Sequence, residues 1–459
     1  MRYYIWTIGC QMNVADSRRL ASALERLGYV PADRAEDADV IVLNTCVVRR
    51  SAEDRVYGRL GSLKPLKKRR PQVTIGLMGC LVGVRDPTPL RRRFPWVDVF
   101  MPPSEPGPLL DYLAEQGLVD EGRALETAEA ARRYRLQDSA LLLPAHERGR
   151  LVSAYITIVL GCSHACSYCI IPYRRGPERS RPVEEILAEA RALAAQGVKE
   201  ITLLGQIVDR YGLEGKQEAG GKKQGMGSRL PLVDLLHQIH EIEGLERIRF
   251  LTSHPSWMTP EIIATVARHP RICPQFEIAV QSGNDEILQR MRRGHTVDDF
   301  RRIVESIRRV IPEAAIHTDV IVGFPGETEA QFDDTCRLLQ ELELDKVHVA
   351  AYSERPGTFA ARHYTDDVPP DQKKRRLKTV EDLQRGIQLR KNRALVGRTV
   401  EILVEEKRRD RWYGRTRCNR IVFASNGGTG DLRGKLIPVR ITGAGPYSLT
   451  GEIASGGPC

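Results

Sequence analysis

The sequence predicts an α/β protein built from an N-terminal parallel-sheet α/β domain, an incomplete (β/α)6 barrel and a small C-terminal antiparallel β-barrel. Three observations predict this. Short apolar runs alternate with amphipathic helical stretches up to about residue 101 and again from 154 to 352, the pattern of parallel strands covered by helices. After residue 393 the chain changes to short strands split by Gly, Asn and Asp, as small β-folds do. The 459 residues also exceed what a single core normally serves.

In the first domain, taken as 1–140, YYIWTIGC (3–10), ADVIVLNTC (38–46), QVTIGLMGC (72–80) and VDVFM (97–101) read as strands. A helix is expected over 16–28, capped by Asp16, with Leu20, Leu24 and Leu27 on one face and Gly28 as its stop. Ser51 with Asp54 three residues on has the capping-box spacing for a second helix. Residues 102–150 read as a mixed helical and polar connection. The second domain, 148–375, offers six strands: 154–160, 200–205, 247–253, 275–281, 316–323 and 346–352. That is two short of a closed eight-stranded barrel. Pro182 marks a helix start, with Ile186, Leu187, Ala190 and Leu193 on one face. The Gly/Lys/Gln-rich stretch 212–229 reads as a surface insertion. A charged helix over 371–396 has few apolar positions, and residues 376–392 read as a connector to a β-barrel at 393–456.

Composition bounds the setting. The chain is 41% hydrophobic and 28% charged, with a net charge of +11, which suits polyanionic partners without identifying one. No apolar run reaches the ~18 residues of a membrane span, and no secretory signal is apparent. A cytoplasmic setting is expected, and the ten cysteines then read as metal ligands or buried thiols rather than disulfides.

GCSHACSYC places Cys162, Cys166 and Cys169 at C-x3-C-x2-C directly after a strand. Three thiolates can hold a 4Fe–4S cluster while leaving one iron open, since a complete site takes four cysteines. Structural zinc, with His164 as a fourth ligand, is the alternative, although zinc favours paired knuckles and no second pair exists here. Cys10, Cys46 and Cys80 each close a predicted strand. In a parallel sheet those ends share one edge, so the three thiols can converge on one metal site; unrelated buried thiols are the alternative.

C-x3-C-x2-C after the first strand of an incomplete barrel resembles the radical S-adenosylmethionine (SAM) superfamily, and Tyr168 before the last cysteine matches its pattern. TIGCQMNVADS (7–17), LNTCVVRRSAEDR (43–55) and MGC (78–80) are similar to the methylthiotransferase family. Collinear agreement continues through CIIPYRRGPERSRP (169–182), LLGQIVDRYG (203–212), IRFLTSHP (248–255), VQSGNDEILQRMRRGHT (280–296), TDVIVGFPGET (318–328) and YSERPGT (352–358). The resemblance implies two 4Fe–4S clusters, at Cys10/Cys46/Cys80 and Cys162/Cys166/Cys169, and a C-terminal TRAM domain that binds RNA. It also implies two uses of SAM: one molecule methylates a sulfur at the first of these sites, and a second is cleaved to a radical at the other. The radical removes hydrogen from C2 of an adenine, to which the methylthio group is transferred.

GCQMN and NTCVVR look most like the branch acting on tRNA with N(6)-dimethylallyladenosine beside the anticodon. Related branches act on threonylcarbamoyl-adenosine in tRNA or on a ribosomal protein, and a zinc-stabilised non-enzymatic RNA-binding protein is a further alternative. Arg18 and Arg50 stand where the family commonly has Glu, and GCLVGVR replaces the common GCMAQR. The strand-end residues Gly205, Gln206, Ser253, Gln281, Ser282 and Gly323 are expected to line the SAM pocket. Arg174 and Arg175 are candidates for substrate phosphate or for a structural surface role. Lys407, Arg408, Arg409, Arg411, Arg415 and Arg417 around Trp412 and Tyr413 read as an RNA-binding surface, with cations for phosphates and rings for bases. Cys273, Cys336, Cys418 and Cys459 have no metal spacing and read as structural or incidental thiols, and His254, His295 and His317 read as hydrogen-bonded core histidines, with a place facing the barrel interior as the alternative. A monomer is expected, with tRNA and an electron donor as partners.

Overall fold

The computed structural model describes residues 1–47, 50–119, 122, 143–214, 230–425 and 430–454. The connection 120–142, apart from residue 122, and most of the predicted insertion (215–229) lie outside them, as does Cys459. The chain divides into two compact units. One holds Met1–Gly149, Tyr155–His164 and Cys169–Gln196; the other holds Arg150–Ala154, Ala165–Tyr168 and Gly197–Cys459.

The first unit is organised by strands β1 (Arg2–Thr7), β2 (Val30–Pro31), β3 (Val40–Thr45), β4 (Thr74–Gly79) and β5 (Val99–Met101) in the order β2-β1-β3-β4-β5. Every pairing is parallel. β3 and β4 are buried along their whole length, because successive side chains alternate between two covered faces. Ile41, Leu43, Ile75 and Leu77 pack with Leu60 and Leu63 on one face. Val40, Val42 and Met78 pack with Leu20, Leu24, Leu109 and Leu110 on the other.

Two helix starts differ from expectation. Helix α1 runs Gln11–Arg26 with Cys10 as its N-cap, so Asp16 lies inside it and caps nothing. Asp16 is instead buried, 3.9 Å from Arg175. Gly28, with φ +87°, ends this region as expected. Helix α2 is Arg50–Arg69, which puts Ser51 one residue inside the helix rather than at its cap. Helices α3 (Thr88–Arg93) and α4 (Gly107–Glu115) follow. The unit also contains β7 (Val159–Leu160), which pairs antiparallel with β8 (Arg179–Ser180), and helices α5 (Ile171–Arg175) and α6 (Val183–Ala195). Pro182 sits at the start of α6, and Ile186, Leu187, Ala190 and Leu193 are its buried face.

The second unit holds β9 (Glu200–Leu204), β10 (Arg247–Phe250), β11 (Gln275–Glu277), β12 (Ala315–Val322) and β13 (Lys346–Ala351). β9 lies between β10 and the start of β6 (Ser153–Thr157). Parallel bridges Ile248–Ile272 and Ser253–Ile278 link β10 to the β11-β12-β13 sheet. Within this unit the predicted strands from 200 to 351 follow one another in parallel, whereas the predicted strand 154–160 is divided into β6 and β7.

The charged helix, Pro370–Arg393, is more than a connector. Lys373, Arg376, Val380, Gln384 and Ile387 are buried. Arg376 bonds Glu327 at 2.8 Å, and Gln384 donates to the carbonyl of Leu344 at 3.0 Å. A polar residue reads as exposed in a sequence, yet it is buried here because a partner satisfies it.

The C-terminal strands β14 (Thr399–Arg408), β15 (Arg411–Thr416), β16 (Ile421–Ser425), β17 (Leu436–Ala444) and β18 (Leu449–Ile453) close into a five-stranded barrel. It is antiparallel except for the parallel β16–β18 pair. Arg247 and Arg249 on β10 hold it to the first residues of the barrel strands. Arg247 donates to the carbonyl of Arg415 at 2.6 Å, and Arg249 to those of Arg417 and Thr416 at 2.7 and 2.9 Å. Among the described residues no helix is long and apolar enough to cross a membrane.

Candidate active site

In the first unit Cys10, Cys46 and Cys80 come one to three residues after the ends of β1, β3 and β4, which neighbour one another in the sheet. The local sequence explains why they converge. A Cβ on Gly9 would lie 3.1 Å from Cys46 Cβ and 2.5 Å from Asn13 Oδ1, so only glycine lets the Cys10 loop approach Cys46. Gly79, at φ +99°, would press a Cβ to 2.5 Å from the Thr45 carbonyl, and Cys80 N donates to that same carbonyl at 2.9 Å. Asn13 ties the loops together, donating to Asn44 Oδ1 at 2.8 Å and to the Thr45 carbonyl at 3.1 Å. Cys10 Sγ lies 3.3 Å from Asn13 Oδ1, at the positive end of α1.

Burial pushes the Cys80 thiol up to about 11; Arg175 opposes this, while Cys46 and Cys10 add to it. Arg175, considered from sequence as a phosphate or surface residue, is buried and donates from Nε to Cys80 Sγ at 3.2 Å. Arg174 donates to the Leu81 carbonyl at 3.3 Å. Arg18 pairs with Glu147 at 2.8 Å and lies over Tyr155. The Arg50 side chain lies outside the described residues. Three thiols at neighbouring strand ends with one buried cation beside them are a donor set that would suit an iron–sulfur cluster. Among the described residues no three His, Cys, Asp or Glu side chains are arranged for a single metal ion.

Cys162, Cys166 and Cys169 lie in the loop after β7. Cys162 is buried, and its N–H donates to the Gly176 carbonyl at 3.1 Å. Cys166 Sγ accepts from Arg293 Nη1 at 3.3 Å, and Arg293 also donates to the Ala279 carbonyl at 2.7 Å. Arg293 was not singled out from sequence, although it lies in the quoted RMRRGHT run. Tyr168 packs edge-on to Phe324 at 6.5 Å.

The strand-end series does not behave uniformly. Ser253 is buried with Oγ unbonded, and Gln281 Oε1 is likewise buried and unbonded. Two such orphaned polar atoms at barrel strand ends fit a polar ligand such as SAM. Gln281 and Thr252, the residue before Ser253, adopt φ +76° and +70°, strain that concentrates at functional sites. Gly205 is buried and Gln206 half-buried just beyond β9. Ser282 uses its hydroxyl to accept from Asn284 N at 3.3 Å, which is turn chemistry. The close approach at Gly323 comes from the protein itself, since a Cβ there would lie 2.4 Å from Lys373 Cγ.

Asp209 was also missed from sequence. It is buried and accepts from His254 N at 3.2 and 3.1 Å, and burial pushes it up to about 8. Its folded pKa stands above its unfolded value near 3.8, so the stability present below that value is lost as pH rises towards 8. Asp209→Asn is expected to flatten the fall of the melting midpoint between about pH 4 and 8. An unchanged slope would show that this carboxyl is not held uncharged.

His254, His295 and His317 are buried; His254 accepts from Ser256 N at 3.1 Å and His317 lies 3.3 Å from Gln275, whereas neither ring nitrogen of His295 has a hydrogen-bond partner among the described residues. Cys273 is buried, and Cys336 and Cys418 are partly buried.

In the C-terminal barrel, Trp412 and Tyr413 are 5% and 3% exposed. Trp412 fills the barrel core, so these rings are not offered to bases. Consecutive strand residues face opposite sides: Trp412 turns inward, while Tyr413 turns outward and is covered by Arg408, 3.9 Å from its ring centre, and by Phe423 at 5.6 Å. Arg417 donates to the Ile272 carbonyl at 3.0 Å, and Arg415 is paired with Glu405 at 3.0 Å. Lys407, Arg408, Arg409 and Arg411 remain exposed at the β14–β15 hairpin. Tyr447, 66% exposed, is the aromatic that this barrel does present to solvent among the described residues.

The chain matches the radical SAM superfamily over residues 156–339, the uncharacterized protein family UPF0004 over 2–102 and the TRAM domain over 393–454. It is similar to the radical S-adenosylmethionine methyltransferase TsrM from Kitasatospora setae, at TM-score 0.53 and 14% identity, covering 78% of this chain and 77% of that one. At that identity the likeness concerns the fold. Among curated relatives, the tRNA-2-methylthio-N(6)-dimethylallyladenosine synthase of Roseiflexus sp. (strain RS-1) is 45% identical over 99% of this chain and 90% of its own length. That of Chloroflexus aurantiacus is 46% identical over 98% and 91%, and that of Dictyoglomus thermophilum 43% identical over 98% of both. These relatives set aside the alternative of a zinc-stabilised, non-enzymatic protein. The chain belongs to the tRNA-2-methylthio-N(6)-dimethylallyladenosine synthase family.

Proposed function

We propose that this chain is a methylthiotransferase that adds a methylthio group to C2 of N(6)-dimethylallyladenosine next to the anticodon in tRNA. The observation that carries this reading is the presence of two separate three-thiol sets. One stands at neighbouring strand ends beside a buried arginine. The other is the C-x3-C-x2-C loop of the radical SAM region. Cys10, Cys46 and Cys80 would hold one 4Fe–4S cluster, and Cys162, Cys166 and Cys169 the other. With SAM bound, these groups supply the radical chemistry that an unactivated aromatic C–H needs, which no side-chain base provides.

The protein's own residues bind and orient. Arg293 donates to Cys166, and such outer partners hold ligands in place. Ser253 and Gln281 offer their unbonded oxygens to SAM, beside Gly205, Gln206 and Tyr168. Lys407, Arg408, Arg409 and Arg411 supply exposed charge for phosphates, which suits tRNA in a cytoplasmic setting. An electron donor completes the reaction.

The test uses protein reconstituted anaerobically with iron and sulfide, then given SAM, a strong reductant and tRNA bearing dimethylallyladenosine. The expected result is a methylthio adduct on that nucleoside by mass spectrometry, absent in Cys162→Ala. SAM cleavage without the adduct would overturn the substrate and point to threonylcarbamoyl-adenosine or a protein side chain. Absence of SAM cleavage would overturn the enzyme reading.

A further inference from the structure

Arg175 ends α5, and its side chain is 2% exposed. Nε donates to Cys80 Sγ at 3.2 Å. Nη2 lies 3.9 Å from the Asp16 carboxylate, itself 1% exposed, and makes no hydrogen bond within the protein. An isolated cation is expensive to bury, by several kcal/mol after relaxation, and a protein keeps one only where negative charge or acceptors face it. Asp16 stands beyond hydrogen-bond distance, so the guanidinium keeps an N–H with no acceptor in the protein. The partner within hydrogen-bond distance is sulfur, the Cys80 Sγ that accepts from Nε. Neutral thiols would compensate it poorly, whereas thiolates bound to iron would do so well. The guanidinium is placed for an anionic sulfur site.

Resting on the reading that Cys10, Cys46 and Cys80 hold a 4Fe–4S cluster, we propose that Arg175 is the positioning residue of that cluster, holding the Cys80 sulfur and favouring the reduced state through its positive charge. Nη2 is then the donor left for a further anionic sulfur in the same pocket. Hydrogen bonds to cluster sulfurs and local charge set cluster potentials. Removing this donor therefore lowers the potential.

The test uses the full chain carrying Cys162→Ala, Cys166→Ala and Cys169→Ala, so that iron bound after anaerobic reconstitution reports the strand-end site alone. Arg175→Gln and Arg175→Lys are compared in this background by iron content and by redox titration followed with electron paramagnetic resonance. The midpoint of the Gln variant is expected to fall by a tenfold change in the reduced-to-oxidised ratio, about 59 mV for one electron. The Lys variant is expected to recover part of it, since it keeps the charge without the planar fork. An unchanged midpoint in the Gln variant at equal iron content would overturn the proposal. If the Gln variant binds no iron, the Lys variant decides: restored iron supports the proposal, and iron still absent overturns it. A background that binds no iron before Arg175 is changed would overturn the two-cluster reading, and this inference with it.

Discussion

Cys46→Ser is expected to eliminate the methylthio product while SAM cleavage to 5′-deoxyadenosine continues. Cys46 follows β3, the strand between those that lead to Cys10 and Cys80, and it is buried. A serine hydroxyl is close in size but does not supply the thiolate that iron requires. Losing an outer partner of a metal ligand typically costs roughly 10–100-fold in affinity or activity, and losing a ligand itself should exceed that. Product is therefore expected to fall more than about a hundredfold, with bound iron reduced by half. The contrast with Cys162→Ala, which should lose product and SAM cleavage together, separates the two sites. Full product from the Cys46 variant at unchanged iron content would show that this cysteine is a buried thiol and no ligand.

The second large effect is one of stability. Arg249 is 4% exposed and bonds Glu200 at 2.9 Å, Gln275 at 2.7 Å and the carbonyls of Arg417 and Thr416. It joins three barrel strands to the C-terminal β-barrel through one guanidinium. Arg249→Met keeps most of the volume but leaves Glu200 a buried charge without its partner, and two carbonyls without a donor. Breaking a buried pair in this way costs about 3–5 kcal/mol. Hydrogen exchange is expected to rise in 200–204 and 412–418, with a lower melting midpoint. Changing Glu200→Met as well should recover a large part of the loss, because the uncompensated charge is then gone. Exchange unchanged in the single variant would mean that the contact contributes little to holding the domain in place.

The alternation of strand and helix made both α/β regions legible without coordinates, and six barrel strands appear where the apolar runs stand. The strand-end positions of Cys10, Cys46 and Cys80 were legible for the same reason: parallel strands in register bring their carboxyl ends to one edge. Helix starts were less legible. Asp16 looks like a cap because carboxylates favour that position, but Cys10 begins the helix and Asp16 is drawn inward to face Arg175.

By itself, the sequence determined the chemistry of the donor sets and the order of the domains, because cysteine spacing and hydrophobic period are local properties of the chain. Tertiary structure alone decided which charged residues are interior. Arg175, Arg249, Arg376 and Asp209 are each buried against a partner at least 45 residues away along the chain. It also decided that Trp412 fills a barrel core while Lys407 stays outside. A buried polar group is stable only when distant segments satisfy it, and no local pattern records which segments those are.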